Sequence, residues 1–257
     1  MSLKSMVKDA AATVVAASGG LRLLPNAHAP RIVMYHRVLS RANPEFGASH
    51  PGMVVGLDAF CMHVDEYAAH YRVVTVAEIV RQGGACSPGG LPMLAITFDD
   101  AWRDTLELAL PVLAKRGLSA TVFAAVDFAV SAESGKPFIR PGELRELGDA
   151  GHEVGCHSWS HRELPDVPDE ELGRELLDSR RWLEDVVGRR VVTFAYPRGA
   201  YDERSVAIVR REYESAVTIR RGFCHSGVDR ALLPRLGIHD DVSRTVSRLR
   251  WRLAGLP

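Results

Sequence analysis

Residues 91–102 read LPMLAITFDDAW. An apolar, β-branched run over 93–98 stops abruptly at two adjacent carboxylates, Asp99 and Asp100. An apolar run of this length bounded by polar residues reads as a buried strand. A strand normally ends in a turn, not in two negative charges side by side. Two unpaired carboxylates so close would raise the pKa of one sharply, so something must share their charge.

Similar runs recur on both sides of this one. RIVMY (31–35), RVVTV (72–76), SATVFAA (119–125), HEVGC (152–156), VVTFAY (191–196) and ESAVTI (214–219) join MLAITF (93–98) as strand candidates. Helical patterns fill the gaps around 57–70, 103–116, 141–150, 169–187 and 202–212. Over 169–187, Leu172, Leu176, Leu183 and Val187 share one helical face, and Gly188 supplies a stop. Strands alternating with helices predict a parallel α/β sheet or barrel. Seven strands favour barrel-like closure, with one domain over 31–257 after an N-terminal extension, 1–30. In such folds chemistry collects at the C-terminal strand ends, where Asp99 and Asp100 fall.

The 257 residues are 46% hydrophobic and 25% charged, and 32 basic residues balance 32 acidic ones. That balance argues against a nucleic-acid partner, which needs a basic face. Cys61, Cys86, Cys156 and Cys224 form no CxxC pair, so neither a disulfide framework nor a cysteine-rich zinc site is expected. The N-terminus has lysines, a short Ala/Val stretch and AHA, a weak export pattern bracketed by Asp9 and Arg22. A short helix that packs on the domain or touches a membrane surface fits it better. No segment approaches the roughly 20 apolar residues of a spanning helix. A cytoplasmic or peripheral inner-membrane location is expected, with export left open. The tail 243–257 carries Arg244, Arg248, Arg250 and Arg252 among apolar residues. It reads as a solvated terminal helix, or else one lying on an anionic membrane.

A second signal is GHEVGCHSWSH, residues 151–161. In a helical turn His157 and His161, at i and i+4, would share a face and could address one ion. HxxxH alone is common. With a carboxylate from another strand end it becomes a three-ligand set with an open position, as in catalytic zinc and related divalent sites.

Together these stretches resemble the polysaccharide deacetylase family, the NodB-homology domain or carbohydrate esterase family four. Thr97, Phe98, Asp99 and Asp100 match its T-F-D-D-G motif, with Ala101 in place of glycine. His157, Ser158 and His161 match its H-[ST]-x-x-H motif, and the intervening ATVF also fits. The likeness runs from about residue 31 to about 240. It implies a distorted (β/α)7 barrel that removes N-acetyl groups from a GlcNAc-type unit of a bacterial polysaccharide or its precursor. Asp100, His157 and His161 would hold a divalent metal, Zn2+ first, with Co2+, Ni2+, Mn2+ or Fe2+ as alternatives. Asp99 would be the general base towards the water held there.

The family's third motif appears as FAYPRGAYD (194–202), where Tyr196, Pro197 and Gly199 fit. The resemblance implies a substrate or oxyanion role for this turn, with the backbone N–H of Arg198 on the oxyanion. Arg198 stands where an aromatic residue is usual, and no arginine precedes the proline. The residue that orients Asp99 is therefore open, with Arg235 in LPRLGI the candidate. MYHRV (34–38) resembles a subgroup with an N-terminal YHxV motif, which implies His36 as general acid; His239 in GIHDD is the alternative. Ala101 is expected to be tolerated, at a cost only if its φ is positive. His152 and Glu153 read as structural, with an outer hydrogen bond to the histidines possible. Trp159 and Tyr201 read as a sugar-stacking wall or as core, and Cys156 as a buried small residue. The partner implied is an N-acetylated saccharide or glycoconjugate. A glycolipid or small natural product is the alternative substrate, and a catalytically silent carbohydrate-binding relative the alternative function. The oligomeric state is open.

Overall fold

A computed structural model describes residues 26–83 and 90–256. The expected N-terminal helix up to residue 25, and Cys86, lie outside the described residues. The strands are β1 (Arg31–Tyr35), β2 (Arg37–Leu39), β3 (Val54–Gly56), β4 (Arg72–Val74), β5 (Met93–Phe98), β6 (Thr121–Ala124), β7 (Glu153–Cys156), β8 (Thr193–Ala195), β9 (Ser215–Val217) and β10 (Leu236–Gly237). The main sheet runs β10-β1-β5-β6-β7-β8-β9, and its pairings are parallel.

One short segment closes the sheet into a barrel. Leu233 bridges Val217 in parallel, and Arg235 N–H donates to Arg220 O at 2.8 Å. Immediately beyond, Leu236 and Gly237 pair with Val33 and Met34. Residues 233–237 thus touch β9 on one side and β1 on the other, and the ring has seven members. The sequence reading reached seven by counting β4. That strand instead pairs with the first half of β5 (Val74 with Ala95), while β6 takes the same edge further on (Thr97 with Thr121). The single register pair between β7 and β8, Cys156 with Phe194, adds to the distortion. β10 has two residues, too few for any periodic signal. β2 and β3, which pair outside the barrel, have only three residues each. The run 72–76 ends early because the Thr75 side chain accepts from Glu78 N–H and caps the helix Val76–Arg81.

The helices fall close to expectation. Over 169–187, Leu172, Leu176, Leu183 and Val187 are buried, and Gly188 ends the helix at φ 68°. Each such side chain contributes about 1.5–3 kcal/mol of burial. An unforeseen helix, Val126–Ala132, follows β6. The tail helix Val246–Leu253 buries Leu249 and Leu253, while Arg250 pairs with Glu66 of the helix Leu57–His70 and Arg252 donates to Gly237 O. No helix among the described residues is long and apolar enough to cross a membrane.

Candidate active site

Three strand ends build the site, and each leaves the sheet through left-handed backbone. Among the described residues five non-glycines have positive φ: Asp100 (69°), Ala101 (52°), Ser158 (66°), His161 (60°) and Arg198 (53°). They follow β5, β7 and β8. Strain confined to one rim marks a site whose side chains are aimed at a cost. Ala101 meets the condition under which a cost was expected: it occupies the conformation in which glycine is at home, at about 1–2 kcal/mol. Its carbonyl accepts from Ile139 N–H at 2.8 Å, and Arg103 N–H donates to Pro137 O at 2.8 Å. The segment 137–139 therefore straps the turn down.

Asp100, His157 and His161 converge. Asp100 Oδ1 lies 3.5 Å from His157 Nε2 and 3.2 Å from His161 Nε2. These edges match the roughly 3.3 Å between donors about 2.05 Å from a tetrahedral ion. His157 and His161 meet without a helical turn, because residues 157–161 form a loop kinked at Ser158 and His161. Ala195 O is 2.7 Å from His157 Nδ1 and can only accept, so Nδ1 carries the proton and the Nε2 lone pair faces inward. Oδ1 is buried with no hydrogen-bond partner. Three acceptor atoms around one point fit a cation, and an orphaned buried carboxylate oxygen otherwise has no account. Burial opposes the charge on Asp100, yet His157 and His161, when protonated at Nε2, would hold its carboxyl well below the usual range, the place a cation takes otherwise. Burial also opposes protonation of His157, yet Asp100 raises that histidine.

Asp99 answers the orientation question. It is 3% exposed, and both its oxygens accept from Arg235 at 2.7 Å. Arg235 also donates to Thr97 Oγ1 and Thr218 O. Burial raises the Asp99 carboxyl, but the Arg235 guanidinium wins and holds it below its usual value. His36 Nε2 stands 3.9 Å from Asp99 Oδ2. Burial lowers the His36 pKa, against the pull of Asp99 and Asp100. By register His239, two residues past β10, falls beside His36, since Ile238 N–H donates to Met34 O. Burial lowers its pKa too, but its charged neighbours are Asp241, Arg252, His50 and Asp240, none from the central set.

Other expected residues fall elsewhere. Tyr196 and Pro197 are buried, so what they bring to the turn is its shape rather than an exposed side chain. Tyr196 packs between Phe194 and Tyr201. The Arg198 side chain is 71% exposed and 3.6 Å from Glu163. Trp159, half-buried, lies under the Arg174 guanidinium at 4.7 Å, and Tyr201, also half-buried, packs on Tyr196. Glu153 sits at the other mouth of the barrel, accepting from Thr121 Oγ1, Thr193 Oγ1 and Ala77 N–H; it makes no outer bond to the histidines. Cys156 is buried against Ser179, as expected.

Glu175 was missed. It is 3% exposed and accepts from Trp159 N–H, Ser160 N–H and Ser160 Oγ, gripping the loop between the two histidines. Its signal was a charged residue on the buried helix face beside Leu172 and Leu176. Glu175→Ala orphans these donors and should lower the unfolding free energy in urea by about 2 kcal/mol. An unchanged midpoint would remove Glu175 from the loop's support.

Comparison with known proteins agrees with this geometry. The family model for polysaccharide deacetylase matches residues 87–213. YxkH of Bacillus subtilis is 28% identical over 129 residues, 49% of this chain and 44% of YxkH. Peptidoglycan-N-acetylglucosamine deacetylase PgdA of Listeria monocytogenes is 26% identical over 112 residues, 43% of this chain and 22% of PgdA. The matches therefore span less than half of these relatives' length. In fold, the chain resembles the Streptococcus pyogenes deacetylase PplD, with TM-score 0.78 and 21% identity over 89% of this chain and 99% of PplD. It also resembles IcaB from Ammonifex degensii, with TM-score 0.71 and 21% identity over 87% of this chain and 97% of IcaB. The motif carboxylates and histidines meet at the strand ends of a seven-membered barrel, and residues 87–213, which carry them, match the polysaccharide deacetylase family.

Proposed function

We propose that this chain is a metal-dependent hydrolase that removes the acetyl group from an N-acetylated sugar, a GlcNAc-type unit of a polysaccharide or its precursor. The convergence of Asp100, His157 and His161 around an orphaned carboxylate oxygen carries the reading. The names of PgdA and of chitin deacetylase 1 of Cryptococcus neoformans, 27% identical over 113 residues, support the substrate class. A divalent ion, Zn2+ first, supplies a Lewis acid for the acetamide carbonyl and a water of lowered pKa.

The chain's own residues do the rest. Asp99, ionised and fixed by Arg235, accepts the proton of the attacking water at a carboxylate oxygen. The Arg198 N–H, on the β8 turn, is the candidate donor to the developing oxyanion. His36, with Nε2 3.9 Å from Asp99 Oδ2, delivers a proton to the departing amine nitrogen. Burial lowers its pKa, which strengthens its protonated form as an acid and makes that form scarce at neutral pH. The intact set of Asp99, Asp100, His157 and His161 speaks against a silent sugar-binding relative.

The test is acetate release from GlcNAc oligomers by metal-loaded protein. Release that stops on chelation and returns with Zn2+ is expected. Stoichiometric metal without release would overturn the substrate, and no bound metal would overturn the site.

A further inference from the structure

The two oxygens of Asp100 have different surroundings. Oδ1 faces both imidazoles and has no hydrogen-bond partner. Oδ2 accepts a hydrogen bond from the indole Nε1–H of Trp102 at 3.0 Å. Trp102 is itself clamped. The Arg37 guanidinium lies 4.4 Å from its ring centroid, and Asp104 holds Arg37 at 2.8 Å. Phe138 lies 4.7 Å from the ring on a backbone bridge to Trp102. Phe138 stacks on Phe128 (4.5 Å, 10°), which stacks on the His161 imidazole at 5.2 Å. One file of rings thus runs from the outer oxygen of one ligand to the side of another.

We propose that Trp102 is a positioning residue that restricts Asp100 to one-oxygen coordination by occupying Oδ2 with its indole N–H. The inference rests on the metal reading of Asp100, His157 and His161. A carboxylate with both oxygens free can swing to grip an ion with two, filling a position that substrate or water needs. With Oδ2 hydrogen-bonded, Oδ1 alone points at the ion, and the set keeps an open position. The rings matter because a hydrogen bond steers a carboxylate only if its donor cannot follow the carboxylate's motion.

Trp102→Phe keeps a ring in the file and removes only the N–H. Zn2+ affinity, read by competition with a chromophoric chelator, should fall about ten- to a hundred-fold, as for other outer partners of metal ligands. With Co2+ in place of Zn2+, the visible bands should weaken relative to wild type as the second carboxylate oxygen enters and the coordination number rises. Mere loosening of the fold would not produce that change. In the wild-type chain the Trp102 indole N–H resonance should shift on Zn2+ addition and stay slow to exchange, a readout that needs no variant. Wild-type affinity and Co2+ bands in Trp102→Phe, or an indole resonance indifferent to metal, would overturn the inference and leave the metal site standing. Failure of the wild-type chain to bind either ion would overturn both.

Discussion

Replacing Arg235 with methionine should silence hydrolysis as completely as Asp99→Asn, although Arg235 touches no reacting atom. The guanidinium has zero side-chain exposure and spends its donors on both Asp99 oxygens, Thr97 Oγ1 and Thr218 O. Burial alone would raise the Asp99 carboxyl, and Arg235 reverses that. Without it the carboxyl rises, holds a proton at neutral pH and cannot take another. Loss of the base should cost about 10²–10⁴ in kcat/KM. Asp99 held below its unfolded value adds stability above that value, and this is lost as pH falls through the folded pKa. Removing one partner of a buried pair costs about 3–5 kcal/mol, because the other charge stays buried. Arg235→Met should therefore bind one metal ion, release no acetate and unfold early in urea. Pairing it with Asp99→Leu should restore most of the stability and none of the activity, since no uncompensated charge remains. An active Arg235→Met would show that Asp99 keeps its charge and aim by other means.

Much of this site was legible in the sequence, for a definable reason. Asp99, Asp100, His157 and His161 follow apolar runs long enough to read as strands, and parallel strands deliver their ends to one rim. Arg235 could be named only as a candidate, because its tie to Asp99 crosses 136 positions and the strand it precedes has two residues. The left-handed turns at Ser158 and His161 carried no signal, because no glycine marks them, and at Ala101 the only hint was the glycine of the motif it resembles. Their conformation is imposed by contacts such as Ile139 N–H on Ala101 O and the Ser158 hydroxyl on His161 N–H. Glu175 and Trp102 act through hydrogen bonds to the loop between the two histidines and to an Asp100 oxygen. Spacing along the chain encodes neither.

Between pH 6.5 and 4 the protein should lose about 3 kcal/mol of stability through one histidine outside the site. His63 is fully buried. Its Nε2 is 2.6 Å from Ser243 O, which can only accept, so Nε2–H donates and Nδ1 accepts from the Tyr35 hydroxyl at 3.0 Å. Tyr67 then donates to Tyr35 at 2.6 Å. This neutral chain has no place for a second imidazole proton, and burial takes the His63 pKa down to about 4. The unfolded chain binds that proton near pH 6.5, so between the two values the unfolded state holds more protons and stability falls as pH falls. At 1.36 kcal/mol per unit the loss reaches about 3 kcal/mol. His63→Gln can donate to Ser243 O and accept from Tyr35 without titrating. Urea unfolding at pH 7 and pH 4.5 should show wild type losing about 2 kcal/mol more than the variant, while parallel losses would clear His63. Tyr35 directly precedes His36, and Ser243 closes the short helix that begins after His239. Opening this chain would disturb the strand end that presents the proposed acid. An acid limb in the activity profile that moves in His63→Gln would thus report the fold, and one that stays would belong to Asp99 and His36.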